Sequence, residues 1–347
     1  LLILSGHFLL QNRQSVPAVV LHAFSQYWSG VDLFFVLSGY VIFASLTRLN
    51  ERRPGIPTLL RLYLTSRAFR ILPVYALFLS AYFYLPRLNP QLAHDELFIS
   101  SIPNYVYLYF GQAWMMAFRQ RAGAGFVDVS WSLCAEVFLY GLAFVIVCLT
   151  SNRNRIWVVA AVAVISYTAR LYIVLFTGNF LAAYLLPVCR MDGFMFGGII
   201  AHLYTSHTLK DSISKVLSRA LPILFCVFVV LAVGAWHFAS GASILFSYSF
   251  YALFYTAVLV TVIRGDFPVL SKGPLKFIGT VSYFIYLFHF PIVYWMKNIS
   301  DELRWGVLTN FSVTFAVTIG AATISWFLME KPLIALGKTL NRRAQSY

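Results

Sequence analysis

Charge is what this sequence has least of. Of its 347 residues only 11% are Asp, Glu, Lys or Arg, less than half of the roughly 25% found in ordinary soluble domains. That shortage excludes a soluble enzyme of one or two domains and a disordered chain alike. Acid is scarcer still, with 12 Asp and Glu against 26 Lys and Arg. Cysteine is sparse too: Cys134, Cys148, Cys189 and Cys226 all lie in apolar runs, with no CxxC and no Cys/His spacing. They read as small hydrophobes, offer no metal site and say nothing about compartment. Internal repeats and low-complexity tracts are absent. The chain opens at Leu1 inside an apolar stretch, so the first span is expected to be truncated.

What fills the sequence is apolar surface. Hydrophobic residues make up 60% of the chain, phenylalanine alone contributes 32 positions, and the mean hydropathy is +0.76. At roughly 20 residues per span this suffices for about ten transmembrane helices. The runs fall at about 1–10, 29–47, 71–86, 129–150, 156–177, 180–203, 221–239, 242–263, 275–297 and 305–329. They are continuous rather than alternating, which argues against the roughly ten-residue strands of a membrane barrel. The expected fold is therefore all-α, a polytopic membrane protein with one transmembrane domain over 1–335 and a basic tail over 336–347.

The formal charge of +14 suggests a nucleic-acid partner in a soluble protein, so its distribution matters. Eighteen basic residues fall in one set of alternate connections (48–70, 153–155, 210–219, 264–276 and 331–343) and six in the other, with Arg170 and Arg190 inside spans. Basic residues concentrate on the cytoplasmic side. The asymmetry places segment 48–70 and the C-terminus in the cytoplasm and leaves no need for nucleic acid. The long outer segment 87–128, with Asp95, Glu96, Tyr105, Tyr107 and Tyr109, reads either as a substrate-facing lid or as an interfacial aromatic belt.

Ionisable groups at membrane depth are expensive and face a cavity or a partner. The candidates are His7, Asp32, Glu136, Arg170, Arg190, Asp192 and His289. A rise of about 1.5 Å per residue sets Glu136 roughly 10 Å below the outer surface, and His7, Asp32 and His289 also fall in the outer half. Several have a structural reading beside the functional one. Asp32 can cap a helix, Arg190 and Asp192 can neutralise each other, and Arg170 can snorkel outward. His289, close before Pro291, can bond a carbonyl that the proline frees. His7 and Glu136 have no such alternative in their sequence surroundings. A histidine is suited to taking a proton from a hydroxyl, and a carboxylate can orient it.

A second cluster is TSRAFRILPVY, where Arg67 and Arg70 are three apart and share a helix face. Two guanidiniums so placed suit phosphate, although basic residues at a cytoplasmic helix end are expected in any case.

Taken together, His7 in the first helix, GVDLFFVLSGY at 30–40, SRAFRILPVY at 66–75, VSWSLCAEVFLY at 129–140, GTVSYFIYLFHFPIVYW at 279–295 and FLMEKPL at 327–333 resemble the acyltransferase 3 family of integral-membrane O-acyltransferases. The resemblance runs over nearly the whole chain. It implies about ten helices and transfer of an acyl group, commonly acetyl, from cytoplasmic acyl-CoA to a hydroxyl of an extracytoplasmic or lipid-linked glycan or lipid. The family's histidine maps to His7, its paired arginines to Arg67 and Arg70, and its carboxylate after the WSL motif to Glu136. Ser38, Asp32, Trp131, Arg190, Asp192 and His289 are read as supporting the site. Tyr105, Tyr107, Trp114 and Trp131, near the outer face, read either as faces for sugar rings or as the interfacial aromatics expected there in any case. The family's arginine about eleven residues before the histidine would precede Leu1. The further periplasmic domain of some members is expected to be absent. Acyl-CoA is expected as a co-substrate, with no permanently bound cofactor, no metal and no nucleic acid. The expected location is a bacterial cytoplasmic (inner) membrane. The rival reading is a proton-coupled transporter or exporter of a glycan or small solute, for which the sequence offers neither inverted repeats nor paired broken helices.

Overall fold

Apolar runs of this length have no water to satisfy their backbone N–H and C=O groups in a bilayer, and a helix satisfies them within the segment. The computed structural model describes residues 1–88, 111–119, 125–205, 211–233 and 241–345, and every regular element among them is helical. In chain order these include α1 (Leu2–Gln11), α2 (Ala18–Ala23), α3 (Gly30–Glu51), α4 (Ile56–Leu88), α5 (Gln112–Arg119), α6 (Trp131–Leu149) and α7 (Asn152–Tyr172). Then come α8 (Phe180–Leu185), α9 (Met191–Thr205), α10 (Asp211–Val233), α11 (Gly241–Arg264), α12 (Gly273–Thr280), α13 (Ser282–Glu302), α14 (Val307–Ser325) and α15 (Lys331–Gln345). Large apolar side chains stand exposed on the outside of the bundle, Trp157, Phe176, Leu308 and Leu328 among them. Such a surface suits lipid tails rather than water.

The expected count of about ten spans is not confirmed. Among the described residues six helices are long and apolar enough to cross a membrane, or seven if α12 and α13, bent by 75° at their junction, form one span. The shortfall has local causes. α1 has only 10 residues. The run 180–203 is broken at Pro187 into α8, a single 3-10 turn (Pro187–Cys189) and the 15-residue α9, because proline lacks the N–H that would continue the helix. Most of the outer segment 87–128, including Asp95, Glu96, Tyr105, Tyr107 and Tyr109, lies outside the described residues. Its helix α5 is tied to the start of α8, where Asn179 donates to the Ala117 carbonyl at 2.9 Å; Trp114 there packs on Phe118 and Phe138.

The centre of the bundle is the α3–α9 crossing, and glycine makes it possible. A Cβ on Gly39 would lie 1.9 Å from the Phe194 carbonyl oxygen, and one on Gly197 would lie 2.0 Å from that of Val36. The two backbones therefore touch, in the small-residue mode of membrane helices. α6 packs on the other side of α3, and α1 and α4 approach α13. The last span runs through a π-helical turn, Trp326–Glu330, into α15, which returns along α4, with Asn341 donating to the Leu62 carbonyl at 2.9 Å.

Candidate functional site

The arrangement of α1, α3, α4, α6 and α13 encloses a cavity of about 450 Å³. Its walls are mainly aliphatic and aromatic, with a few polar groups: Arg67 and Arg70 from α4, Ser38 from α3, Glu136 and Tyr140 from α6, and His289 from α13. Five of these six come from the sequence-level candidates, drawn from four different helices. A smaller cavity of about 280 Å³ adjoins it, sharing Arg70, Gly279 and Tyr283 and adding Lys276, Trp326 and Glu330.

Glu136 sits one turn before Tyr140 on α6, so both side chains point the same way. Its Oε1 accepts hydrogen bonds from the Tyr140 hydroxyl and from Ser38 across on α3. Only 4% of the residue is exposed; a carboxylate removed from water to this degree needs such donors. The guanidinium of Arg67 approaches the Tyr63 ring at 6.0 Å, and its Nε is buried with no hydrogen-bond partner among the described residues. Arg70, one turn further on, is exposed. One cavity thus carries two arginines, a carboxylate and an imidazole on its wall.

His7 stands on α1 with its ring 5.1 Å from His289, 5.1 Å from Tyr27 and 5.0 Å from Phe290, centroid to centroid. The expectation that Glu136 orients His7 finds no hydrogen bond among the described residues, since Glu136 is engaged by Ser38 and Tyr140. His289 is 1% exposed. Its Nδ1 lies 2.6 Å from the Tyr286 carbonyl, one residue before the carbonyl that Pro291 leaves free, so the proline is not the reason for this histidine. The Tyr286 hydroxyl donates to the Val129 carbonyl at 2.7 Å and meets Ser132 at 2.6 Å, and its ring stacks on Phe34.

Asp32, Arg190 and Asp192 form a separate buried cluster, and their pairing differs from expectation. Arg190 bonds Asp32 at 2.7 Å, while Asp192 bonds Arg170 at 2.7 Å. Arg190 lies in the turn just before α9 and Asp192 in the first turn of α9, and each takes its partner from another segment of the chain. Arg170 does not snorkel outward: it is fully buried and also reaches the Cys189 carbonyl and Ser249. Asp32 makes no helix cap. Two acids and two bases close the charge balance, and Arg190 lies 4.0 Å over the Tyr248 ring, a favourable cation–π distance. Trp131 is buried against Tyr184 and Phe35 beside this cluster and does not border the cavity.

Sequence reasoning missed Tyr140 and Tyr286. The first had a signal, since it is four residues after Glu136. The second, three residues before His289, is one helical turn from it. Among the described residues no three His, Cys, Asp or Glu side chains are grouped to hold a metal ion.

Membrane-length apolar helices around a cavity whose wall carries two arginines, a carboxylate and a histidine, with a second histidine beside it, define an integral membrane protein. The chain belongs to the acyltransferase 3 family: the family model described as an acyltransferase domain matches residues 1–330. Among its curated relatives is the O-acetyltransferase OatA of Staphylococcus aureus. The proteins from strains NCTC 8325 / PS 47 and COL are each 27% identical to it over 347 residues, which cover 92% of this chain and 55% of the relative. The chain thus spans about half the length of these relatives. No solved structure matches it.

Proposed function

We propose that this protein is a membrane O-acetyltransferase that moves an acetyl group from cytoplasmic acetyl-CoA to a hydroxyl of an extracytoplasmic or lipid-linked glycan. The observation that carries the reading is that Arg67, Arg70, Glu136 and His289 border one cavity, with His7 beside His289. CoA has matching chemistry: several phosphate charges, then a long flexible arm, then the thioester. The arginine fork suits phosphate, the buried Arg67 Nε awaits an acceptor, and Lys276 beside Arg70 adds a third cation. The apolar walls suit the arm. Family membership and the O-acetyltransferase name of its relatives support the reaction class.

In this reading the acceptor hydroxyl enters from the side opposite the arginines. His7 takes its proton while the oxygen forms the ester bond to the acyl carbon, and the carbon–sulfur bond breaks. The proton then passes to the departing thiolate, giving free CoA thiol. General-base catalysis of this kind contributes about 10²–10⁴ in rate. Glu136, held by Ser38 and Tyr140, supplies a fixed negative charge on the cavity wall. The concentration of basic residues in one set of alternate connections supports a cytoplasmic side for the arginines and the C-terminus, in an inner membrane.

The test is transfer of labelled acetyl from acetyl-CoA by the purified protein in proteoliposomes, with glycan-containing envelope extract as acceptor and mass spectrometry of the product. Wild type should acetylate the acceptor and His7→Ala should do so at least about 100-fold more slowly, while remaining folded and monodisperse. Equal product from the His7→Ala protein would remove the histidine from this role. A wild type that neither binds nor consumes acetyl-CoA would remove the reaction.

A further inference from the structure

His289 is the best-defined buried group in the site that the proposed reaction leaves without a task. A carbonyl oxygen only accepts, so the 2.6 Å contact between Nδ1 and the Tyr286 carbonyl requires Nδ1 to carry the proton. In the neutral ring Nε2 is then a bare lone pair. That nitrogen is buried and has no hydrogen-bond partner among the described residues, although buried polar atoms almost always have one. The neighbour that can supply a donor is His7, whose ring centroid is 5.1 Å away. Two imidazoles joined by one N–H···N bond of about 2.9 Å have their centroids at about this separation, since each ring nitrogen lies roughly 1.1 Å from its centre.

We propose that His289 is the positioning residue for His7: its Nε2 accepts the N–H of the His7 nitrogen that does not face the acceptor hydroxyl. This is the task a carboxylate performs in a Ser-His-Asp triad, fixing the tautomer of the base and stabilising the imidazolium that forms. The chain of contacts runs from the acceptor hydroxyl to His7, from His7 to His289, and from His289 to the Tyr286 carbonyl. It assigns to a second imidazole the role that sequence reading gave to Glu136, whose oxygen is occupied by Ser38 and Tyr140. The proton taken from the hydroxyl stays on His7 and leaves with the thiolate. His289 changes neither its proton count nor its tautomer.

The inference rests on the acetyl-transfer reading, and wild-type turnover in proteoliposomes establishes that reading first. The decisive series is His289→Leu and His289→Gln, each made in wild type and in His7→Ala. The glutamine amide can present an oxygen near the position of Nε2, and leucine cannot. His289→Leu should lower kcat about 100-fold with the KM for acetyl-CoA unchanged within twofold. His289→Gln should recover at least tenfold of that loss. In the His7→Ala background neither change should matter further. Full activity of His289→Leu would overturn the proposal. So would equal losses in the leucine and glutamine proteins when both are folded, or a further loss without His7.

Discussion

Asp32 and Arg190 stand 158 residues apart in the chain and meet at 2.7 Å, with side chains 4% and 1% exposed. The contact joins the start of α3 to the residue just before α9, immediately above the crossing where Gly39 and Gly197 bring the two backbones together. Arg170 and Asp192 form the neighbouring pair. All four charges are buried in one place, and no member can lose its partner without leaving a bare charge in a dry interior.

Asp32→Asn should therefore destabilise the protein severely, since removal of one partner from a buried pair costs about 3–5 kcal/mol. The double variant Asp32→Leu, Arg190→Met should recover most of that loss, because it removes both charges. Thermal unfolding in detergent for the two singles and the double measures the coupling. A double variant as unstable as the sum of the singles would contradict it.

The glycine crossing gives a sharper contrast. Gly197→Ala puts a methyl 2.0 Å from a backbone oxygen, which no side-chain adjustment relieves. The helices must separate, and overpacking of this kind costs about 1–3 kcal/mol or more. Gly320→Ala, in α14, meets nothing within 4 Å and should leave the Tm unchanged or slightly raised. Equal Tm values for the two variants would show that α3 and α9 tolerate a wider spacing.

Arg67→Ala and Arg70→Ala should each raise the KM for acetyl-CoA more than that for the acceptor. Arg67→Lys should only partly restore it, since an ammonium lacks the planar fork. Steady-state kinetics with each substrate varied in turn reads this directly. An unchanged donor KM would leave the two arginines as topology signals.

Glu136→Gln and Tyr140→Phe probe the carboxylate. Tyr140→Phe and Ser38→Ala each remove one neutral donor to Oε1. A hydrogen bond to a charged group is worth about 1.5–3 kcal/mol, so each should reduce kcat by about 10- to 150-fold. Glu136→Gln removes the charge itself and should reduce kcat further than either. A Tyr140→Phe protein slower than Glu136→Gln would shift the chemical role from the carboxylate to the phenol.

The helical, membrane-spanning character was legible because apolar runs of bilayer length leave the backbone no other way to bond. Where they failed was at breaks: Pro187 divides one run, and the 75° bend between α12 and α13 divides another. For the site, depth in the membrane singled out His7, Glu136 and His289, and three-residue spacing singled out Arg67 and Arg70. Glu136, His289, Arg67 and Arg70, with Ser38, proved to border one cavity, and His7 lies beside His289. Pairing was a different matter. Arg190 and Asp192 are neighbours in sequence but take other partners, Asp32 and Arg170, which are distant in sequence. The meeting of His7 with His289 joins opposite ends of the chain, and no local pattern records it.

Tyr286 occupies two networks at once. Its carbonyl holds the His289 ring, while its hydroxyl is anchored to Val129 and Ser132 at the start of α6. The imidazole is thereby geared to the relative tilt of two spans. A ligand that wedges α13 away from α6 would strain the phenol anchor, and the turn that orients His289 would twist with it. Substrate entering between these helices would thus set the catalytic geometry mechanically, and a poor fit would leave the histidine pair out of alignment.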